Sequence, residues 1–330
     1  MTAEQALQAI EEALEQHPCK QLNVLFMGGE PFVALPILKA IVATCRERFA
    51  DKNIHFKAIS NGTLIHGEVQ EWLNANADLF EVTLSVDGDR ETHNKHRCNS
   101  YDRIDFKYFH EVYPRSVTFN MVVTPDTLPL LAENVIRYAE QGIYCKTVLA
   151  DGVDWQLERD VPVLERELKK LVDYYVSHPN SYPTALLNFA IYALDESIPI
   201  HPCRPGVTSE CIMPDGQHIP CYRCSPFFGD QTGKVLRRLD HTDHFPVATA
   251  QCADCCVKRV CNACPAQVAS LEGTEEAHIY CALQKVLFKA NAYMATQLLL
   301  HTPEAAYLRT KSPEQKQQLL NNAITILNQL

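Results

Sequence analysis

Residues 23–31 read Asn-Val-Leu-Phe-Met-Gly-Gly-Glu-Pro, and they set the pattern that the first half of the chain repeats. The apolar run 23–27 has the length of a strand, and we interpret it as a strand buried on both faces. Gly28-Gly29-Glu30-Pro31 follows at its carboxyl end, and a helix is predicted over residues 34–49. A strand, a tight turn and a helix in this order indicate an α/β fold.

Four more apolar runs repeat this unit. They predict strands over residues 54–59, 80–85, 116–123 and 144–149, with helices near residues 67–75 and 128–141. Strands that alternate with helices form right-handed crossovers, so we expect one parallel sheet. Polar residues end two of the strands, as Ser60-Asn61-Gly62-Thr63 and Ser85-Val86-Asp87-Gly88. Ligands of parallel sheets and barrels bind at this rim.

Helices are predicted at both ends of the chain. Thr2-Ala3-Glu4-Gln5 has the pattern of a helix cap, and an apolar stripe follows it at Ala6, Ile10 and Leu14. Beyond Ala150 the alternation of strands and helices stops. The pattern then predicts helices over residues 161–177, with Pro162 in the first turn, and over 185–194, 283–300 and 313–330.

Cysteine is concentrated in the last third of the chain. Ten of the 14 cysteines lie between positions 203 and 281, and the pairs Cys252/Cys255 and Cys261/Cys264 are separated by five residues. Hydrophobic packing does not need this density, whereas metal binding or disulfide formation does. A structural zinc site is one alternative, but zinc-binding pairs usually lie about a dozen or more residues apart. We therefore favour iron–sulfur ligation. The isolated cysteines are interpreted as inert thiols: Cys19, Cys45, Cys98 and Cys145.

The composition excludes several classes of protein. The 330 residues carry a net charge of −10 and no long run of Lys or Arg, so we expect no nucleic-acid partner. The longest apolar runs, such as residues 32–38, are too short to span a membrane. The N-terminus lacks the basic and apolar stretches of a secretory signal. We therefore expect a reducing, cytoplasmic location, where thiols bind metals more often than they form disulfides.

Taken in order, the strand-end motifs resemble those of radical SAM enzymes that carry a SPASM domain and modify peptides or proteins. Gly28-Gly29-Glu30-Pro31 is similar to the family's GGEP motif, which contacts the amino group of S-adenosylmethionine (SAM). Residues 60–63 resemble its NGT signature, and residues 85–88 with Arg97 resemble its S-x-D-G…R signature. Nine residues are implied as SAM contacts: Gly28, Gly29, Glu30, Ser60, Asn61, Ser85, Asp87, Arg97 and Asn120.

Each of these residues also has a plainer interpretation. Gly28-Gly29 with Glu30 fits an ordinary strand-to-helix turn with an acid near the helix start. Asp87 fits an Asx turn before Gly88, and Arg97 fits a surface ion pair. Asn120 is a polar residue in a buried strand, which requires a hydrogen-bond partner from a ligand or a loop.

The cysteine spacing resembles the SPASM pattern. Cys203-x12-Gly216-x4-Cys221 matches its first part, and the rest is matched from Cys252 onward, with two residues instead of three between Cys261 and Cys264. The resemblance implies two auxiliary [4Fe–4S] clusters. One would be held by Cys203, Cys221 and Cys264, and the other by Cys252, Cys255, Cys261 and Cys281. The fourth ligand of the first stays open between Cys211, Cys224 and an iron that binds substrate.

The Cys-x3-Cys-x2-Cys loop that defines radical SAM enzymes occurs nowhere in this sequence. In the family it follows the first barrel strand, so the resemblance implies a partial (β/α)6 TIM-like barrel that lacks this strand. We expect the chain to be a fragment of a longer maturase, because the strand at residues 23–27 is otherwise an exposed edge. A natural relative without the cluster is the alternative, as is a partner chain that supplies the strand.

The resemblance also implies an organisation and a function. Residues 1–155 would form the partial barrel, 156–200 a helical linker and the end of the barrel, 201–285 the SPASM domain, and 286–330 the C-terminal helices. The full-length parent would be an enzyme acting on a peptide or protein substrate with a redox partner. This chain alone would bind SAM weakly and would not cleave it. The alternatives are a non-catalytic SPASM module for binding or electron transfer, and a zinc-stabilised protein.

No catalytic residue is identified from the sequence. Asp151, Asp154 and Trp155 lie just past the last predicted strand, and we consider them candidates for substrate contact. His93 and His96 are interpreted as residues of a surface loop.

Overall fold

The structure is a computed structural model that describes residues 1–16, 20–113, 115–194, 206, 209–225, 252, 254–261, 263–264 and 274–330. These residues divide into two compact units. The first consists of Met1–Val122, Ile143–Lys146 and Ile212–Gln217, and the second of Val123–Gly142, Thr147–Cys211 and His218–Leu330.

The fold is built on one sheet of five parallel strands, arranged in the order in which they occur in the sequence. The register places Val24 opposite Phe56, Phe56 opposite Phe80, and Ser85 opposite Asn120. These findings confirm the predicted α/β class and the parallel strands of the predicted barrel. The strands are β1 (Leu22–Phe26), β2 (Ile54–Ser60), β3 (Phe80–Ser85), β4 (Thr118–Val123) and β5 (Tyr144–Leu149).

Helices α1 (Ala3–Gln16), α2 (Leu35–Arg48), α3 (Glu68–Ala75) and α4 (Arg90–His96) belong to the first unit. The cap predicted for α1 is confirmed. The Thr2 backbone N–H donates to Gln5 Oε1 over 2.8 Å, and the Gln5 N–H donates to Thr2 Oγ1 over 3.2 Å. Two of the free backbone donors at the start of the helix are therefore satisfied by side chains.

One face of the sheet carries the apolar core of the first unit. Phe26, Phe56 and Phe80 lie on this face, with ring centroids about 6 Å apart: 5.9 Å, 6.0 Å and 6.3 Å. The Trp72 side chain of α3 meets the Phe80 ring edge-on at 4.9 Å. Aromatic pairs in such geometry stabilise a core beyond their burial, so this cluster fixes the strands against the helices.

Among the strands that the structure describes, β1 lies at the edge of the sheet, where it pairs with β2. Its side chains alternate between half-buried and exposed, and Leu25 is 45% exposed. The prediction that this strand is buried on both faces is therefore wrong. The apolar residues of β1 reflect one packed face. The unpaired edge of β1 is the exposed strand edge that the sequence predicted.

The second unit is helical. Its helices are α5 (Leu131–Glu140), α6 (Leu157–Ser177), α7 (Glu275–His301) and α8 (Pro313–Gln329). Helix α7 packs against both α6 and α8, and α8 begins with a capping box in which Ser312 and Gln315 bind each other's backbone N–H groups. Two short strands, β6 (Cys211–Ile212) and β7 (His218–Ile219), form a separate two-stranded sheet.

Two predictions for the second unit are wrong. The helix expected over residues 185–194 is replaced by two 3₁₀ turns, Ala185–Leu187 and Ile191–Ala193. The buried Asn291 amide on α7 donates to the Leu187 carbonyl over 2.5 Å, so a side chain 104 residues away binds this carbonyl. Pro162 lies in the second turn of α6, because the helix begins four residues earlier than predicted.

Among the helices that the structure describes, none is both long and apolar enough to cross a membrane.

Candidate functional site

The carboxylate of Glu30 joins the carboxyl ends of β1 and β2. Glu30 Oε1 accepts a hydrogen bond from Ser60 Oγ over 2.8 Å, and Oε2 accepts one from the Asn61 backbone N–H over 2.8 Å. Oε1 also accepts from the Phe32 N–H, which caps the 3₁₀ turn that follows. A carboxylate has about four lone-pair sites, so one position on Oε2 is left for a further donor such as an ammonium group.

Two glycine signatures around Glu30 have different structural causes. Gly28 has φ +146°, and no atom of the described chain lies within 4 Å of a Cβ built on it. The same space is open at Gly29, so the room beside these glycines is available to a ligand. Gly62 has φ +78°, and a Cβ there would meet Ile104 and Leu84 at 3.2 Å. That glycine is explained by packing and by its left-handed backbone.

Asp87 and Arg97 form an ion pair beyond the end of β3. Arg97 Nε donates to Asp87 Oδ2 over 2.5 Å and Nη2 donates to Oδ1 over 3.2 Å, while the side chain of Asp87 is only 7% exposed. Asp87 Oδ1 also accepts from the Val122 backbone N–H over 2.8 Å. The pair thus links the loop after β3 to β4, and it leaves one lone-pair position on Oδ2 for a hydroxyl group.

A buried histidine supports this ion pair. His93 Nδ1 accepts from the Asp87 backbone N–H over 3.3 Å, so the ring proton is on Nε2, which donates to Ser100 Oγ over 3.0 Å. Burial and the positive charge of Arg97 lower the pKa of His93 to about 4, against the opposing charge of Asp87. The prediction that His93 is a surface residue is wrong, whereas His96 is exposed, at the end of α4.

Ser85 and Asn120 are Cα partners on adjacent strands, so their side chains share one face of the sheet. This is the face opposite the phenylalanine cluster. Asn120 is half-buried, and its amide has no hydrogen-bond partner among the residues that the structure describes. Seven of the nine predicted SAM contacts lie at or just after the carboxyl ends of β1, β2 and β3. Asn120 lies within β4 opposite Ser85, and Arg97 follows α4 and pairs with Asp87. All nine belong to the first unit.

Four of the predicted metal ligands lie in one neighbourhood of the second unit. Burial raises the pKa of Cys261 to about 12; the Ala263 backbone N–H opposes this rise, and the negative charges of Cys255, Cys252 and Cys281 add to it. The pKa of Cys281 is raised by burial and by the charges of Cys255 and Cys252, against the positive charge of Lys285. Four thiols that repel one another as thiolates are a donor set that a cationic iron–sulfur centre would stabilise.

The remaining predicted ligands are only partly described. Cys221 interacts electrostatically with Cys264, and Cys211 with Cys221, whereas Cys203 lies outside the described residues. Within the described part of the chain, no three Cys, His, Asp or Glu side chains are arranged so that they could hold a metal ion. Thiolates are the usual ligands of iron–sulfur clusters, so the residue type fits a cluster, and the ligand sets stay a prediction.

Among the candidates for substrate contact, Asp151 is linked to the cysteine-rich segment through Arg223. Its carboxylate accepts from Arg223 Nη2, and both side chains are about one-quarter exposed, at 28% and 24%. Trp155 Nε1 donates to the Ala150 carbonyl over 2.8 Å, so this polar group is already satisfied. The side chain of Asp154 is 79% exposed and is held by Gln156.

Sequence reasoning missed His93, Ser100 and Arg223. One local pattern could have indicated that His93 lies on a helix, because Asp89 caps α4 by accepting from the Thr92 N–H. The partners of His93 are six and seven residues away, beyond the spacing of a helix or strand pattern, and the partner of Arg223 is 72 residues away.

A parallel sheet with polar groups at the carboxyl ends of three neighbouring strands is typical of an α/β protein with a ligand-binding rim. Residues 1–129 match the family model of the radical SAM superfamily. Over that part of its length the chain is therefore similar to the radical SAM superfamily.

Two further comparisons found a curated relative and solved structures of similar fold. The chain is 27% identical over 120 residues to Uncharacterized protein MJ0907 of Methanocaldococcus jannaschii, a match that spans 35% of this chain and 41% of that protein. This chain is similar in fold to histidine-tagged anSMEcpe with bound AdoMet, with a TM-score of 0.66, 17% identity, and 96% and 88% of the two chains covered.

Native anSMEcpe with bound AdoMet and Kp18Cys peptide is also similar in fold. Its TM-score is 0.62 at 18% identity, and the match covers 87% of each chain. Likeness at this level of identity is a statement about the fold, and it extends over the second unit as well as the first.

Proposed function

We propose that this chain is the body of a radical SAM/SPASM enzyme that modifies a peptide or protein, with two auxiliary [4Fe–4S] clusters. The observation that carries the proposal is the rim of the first unit, where Glu30, Asp87 and Arg97 present charged groups at the ends of neighbouring strands. The similarity to anSMEcpe with bound AdoMet and a bound peptide supports both ligand classes.

Each rim residue would have a distinct part in binding SAM. The free position on Glu30 Oε2 would accept from the amino group, and the free position on Asp87 Oδ2 would accept from a ribose hydroxyl. Arg97 has further N–H groups for the SAM carboxylate, and its side chain is 26% exposed. Asn120 would donate or accept with its unpartnered amide. The ion pair and Glu30 are held by the chain itself, so these groups are oriented before any ligand arrives.

The cysteines would hold the auxiliary clusters in two sets. Cys252, Cys255, Cys261 and Cys281 would bind one cluster. Cys203, Cys221 and Cys264 would bind the other, with Cys211, Cys224 or an iron open to substrate completing its fourth position. When bound, such clusters supply one-electron chemistry.

The SAM-cleaving cluster requires three further thiolates. Because the sequence contains no Cys-x3-Cys-x2-Cys, we expect this chain not to cleave SAM by itself. The strand and loop that would complete the site must be supplied by additional sequence or by a partner chain, and a redox partner would deliver electrons.

Metal analysis of anaerobically purified protein tests this proposal. We expect roughly eight irons and as many labile sulfides per chain, as two [4Fe–4S] clusters require. Replacing Cys261 by Ala should remove about half of the iron, because one of the two clusters loses a ligand. Cys98→Ala is the matched control, since Cys98 is exposed and isolated in sequence. Zinc without labile sulfide would contradict the proposal and would favour a zinc-stabilised protein.

A further inference from the structure

His93 is a buried side chain that lies against one of the proposed SAM contacts without being one itself. Its Nδ1 accepts from the Asp87 backbone N–H over 3.3 Å, and its Nε2 donates to Ser100 Oγ over 3.0 Å. The ring is fully buried, so it does not present a surface to a ligand at the rim. It therefore acts on the rim through the residues that it binds, by joining the loop after β3 to the segment after α4.

The bond to His93 holds Asp87 just where the chain leaves the sheet. The Val86 N–H still donates to a β4 carbonyl, over 3.1 Å. The next N–H along the chain, that of Asp87, donates to the His93 ring. The carboxylate of the same residue accepts from the Val122 N–H of β4 over 2.8 Å. Backbone beyond the end of a strand is ordered only where other groups hold it, so the histidine fixes the residue from which this carboxylate extends.

The chain turns sharply after Arg97 and brings Ser100 back to the ring. Cys98 and Asn99 both have a left-handed backbone, with φ 50° and 52°, which residues other than glycine rarely adopt. The turn is held by the Asn99 N–H, which donates to the Asn94 carbonyl over 3.3 Å. Strained backbone persists where the surrounding structure requires it, and it is concentrated at ligand sites. This turn places a hydroxyl group where it accepts the Nε2 proton and leaves Nδ1 free to accept.

We propose that His93 is a positioning residue of the SAM site, which holds Asp87 so that a ribose hydroxyl can donate to its carboxylate. The inference rests on the proposed function, in which Asp87 Oδ2 receives that hydroxyl, and it assigns a role to a side chain that touches no SAM atom. Ser100 acts one step further away, because it keeps the ring proton on Nε2. A ring with its proton on Nδ1 could not accept from the Asp87 N–H.

Two substitutions at position 93 separate the two ends of the ring. The amide oxygen of asparagine lies near the position of Nδ1, so His93→Asn keeps an acceptor for the Asp87 N–H. The amide of glutamine lies near the position of Nε2, so His93→Gln keeps a partner for Ser100 and loses that acceptor. We expect His93→Gln to weaken SAM binding about tenfold and His93→Asn by about threefold or less, since tenfold corresponds to one lost hydrogen bond.

Saturation-transfer NMR of the full chain at neutral pH, with millimolar SAM, measures these affinities. Nitrogen-detected spectra of the imidazole report which ring nitrogen carries the proton. Ser100→Ala should move that proton towards Nδ1 and weaken SAM binding about threefold, because a ring protonated there repels the Asp87 N–H. His96→Gln is the matched control, since His96 is exposed on the same helix, and it should leave both measurements unchanged.

A double-mutant cycle with Asp87→Asn distinguishes positioning from general destabilisation. If His93 acts through Asp87, the effect of His93→Gln should shrink to about twofold or less in a chain whose carboxylate is already replaced. The same tenfold effect in both backgrounds, or wild-type affinity in folded His93→Gln or Ser100→Ala, would overturn this inference alone. Wild-type protein that shows no saturation transfer to SAM would overturn the SAM site of the proposed function, and this inference with it.

Discussion

His93 shows how a single buried residue controls the rim of the first unit. It is fully buried, with 0% of its surface exposed, and its two ring nitrogens bind the Asp87 backbone and Ser100. Only the neutral ring can accept from the Asp87 N–H. Protonation would also place a positive charge next to Arg97, whose guanidinium holds Asp87 in place. The rim is therefore built around a histidine that must stay neutral.

This requirement makes stability dependent on pH. The pKa of His93 is about 4 in the folded chain, below the value of about 6.5 that histidine has in an unfolded chain. The stabilisation is therefore fully present above pH 6.5 and is lost as the pH falls from 6.5 towards 4. We expect the free energy of unfolding to fall by roughly 3 kcal/mol over that window, measured by urea denaturation at each pH.

His93→Gln and His96→Gln form the matched comparison for this prediction. A glutamine at position 93 does not titrate, so the variant should be less stable at pH 7 but should show a flatter pH profile. His96 is exposed on the same helix, so His96→Gln should keep the wild-type profile. Wild-type and His93→Gln profiles that run parallel between pH 6.5 and 4 would show that the histidine does not control this window.

At the scale of elements, Glu30 connects pieces that the chain itself separates. Its carboxylate caps the 3₁₀ turn after β1 and binds Ser60 and Asn61 at the end of β2, thirty and thirty-one residues away. Hydrogen bonds to a charged group contribute more than neutral ones, on the order of 1.5–3 kcal/mol each. Glu30 therefore has a structural task in addition to the SAM contact that the resemblance implies.

Substitution of Glu30 should lower stability in proportion to the acceptors lost. We expect Glu30→Ala to cost about 3 kcal/mol of unfolding free energy and Glu30→Gln about 1 kcal/mol, because the amide oxygen still accepts. Urea denaturation with hydrogen exchange of the Asn61 amide measures both effects. Glu71→Gln, an exposed substitution in the first turn of α3, should change stability by only a few tenths of a kcal/mol. Glu30→Ala as stable as wild type would refute the structural task.

Local patterns predicted the elements of the sheet well, and the reason is physical. The apolar runs of β2 and β3 and the polar residues that end them are properties of neighbouring residues, so the sequence contains them directly. Residues 185–194 also looked like a local helix, but Asn291 binds the Leu187 carbonyl from 104 residues away. Asn322 does the same for the Ile191 carbonyl, from 131 residues away. A contact of this separation overrides helix propensity, and propensity alone does not reveal it.

The same distinction, between local sequence patterns and contacts that no local pattern contains, applies to the candidate site. The motifs at Glu30 and Asp87 were predicted because they follow strands, whereas their internal partners were not. Asp87 and Arg97 were both expected to contact SAM, and the structure shows the two paired with each other. The pairing between Asp151 and Arg223 joins residues whose sequence neighbourhoods give no sign of each other.

At the scale of the whole molecule, the proposed second cluster joins segments that are remote in sequence. Cys252, Cys255 and Cys261 lie before α7, whereas Cys281 lies on the second turn of that helix. Metal binding that needs a folded arrangement of ligands adds its free energy to folding. Cluster binding should therefore stabilise the start of α7 and leave α8 and the sheet of the first unit unchanged.

Hydrogen exchange followed by mass spectrometry measures this stabilisation along the chain. We expect amides in the first two turns of α7 to exchange at least tenfold more slowly in reconstituted protein than in iron-free protein, which is about 1.4 kcal/mol of added local stability. Cys281→Ala should remove the protection of α7 while the first cluster, and its share of the iron, remains. Exchange at the start of α7 that is independent of iron would show that Cys281 does not anchor the helix to a cluster. Protection that spread equally through α8 would instead indicate a general stabilisation, because α8 carries no cysteine.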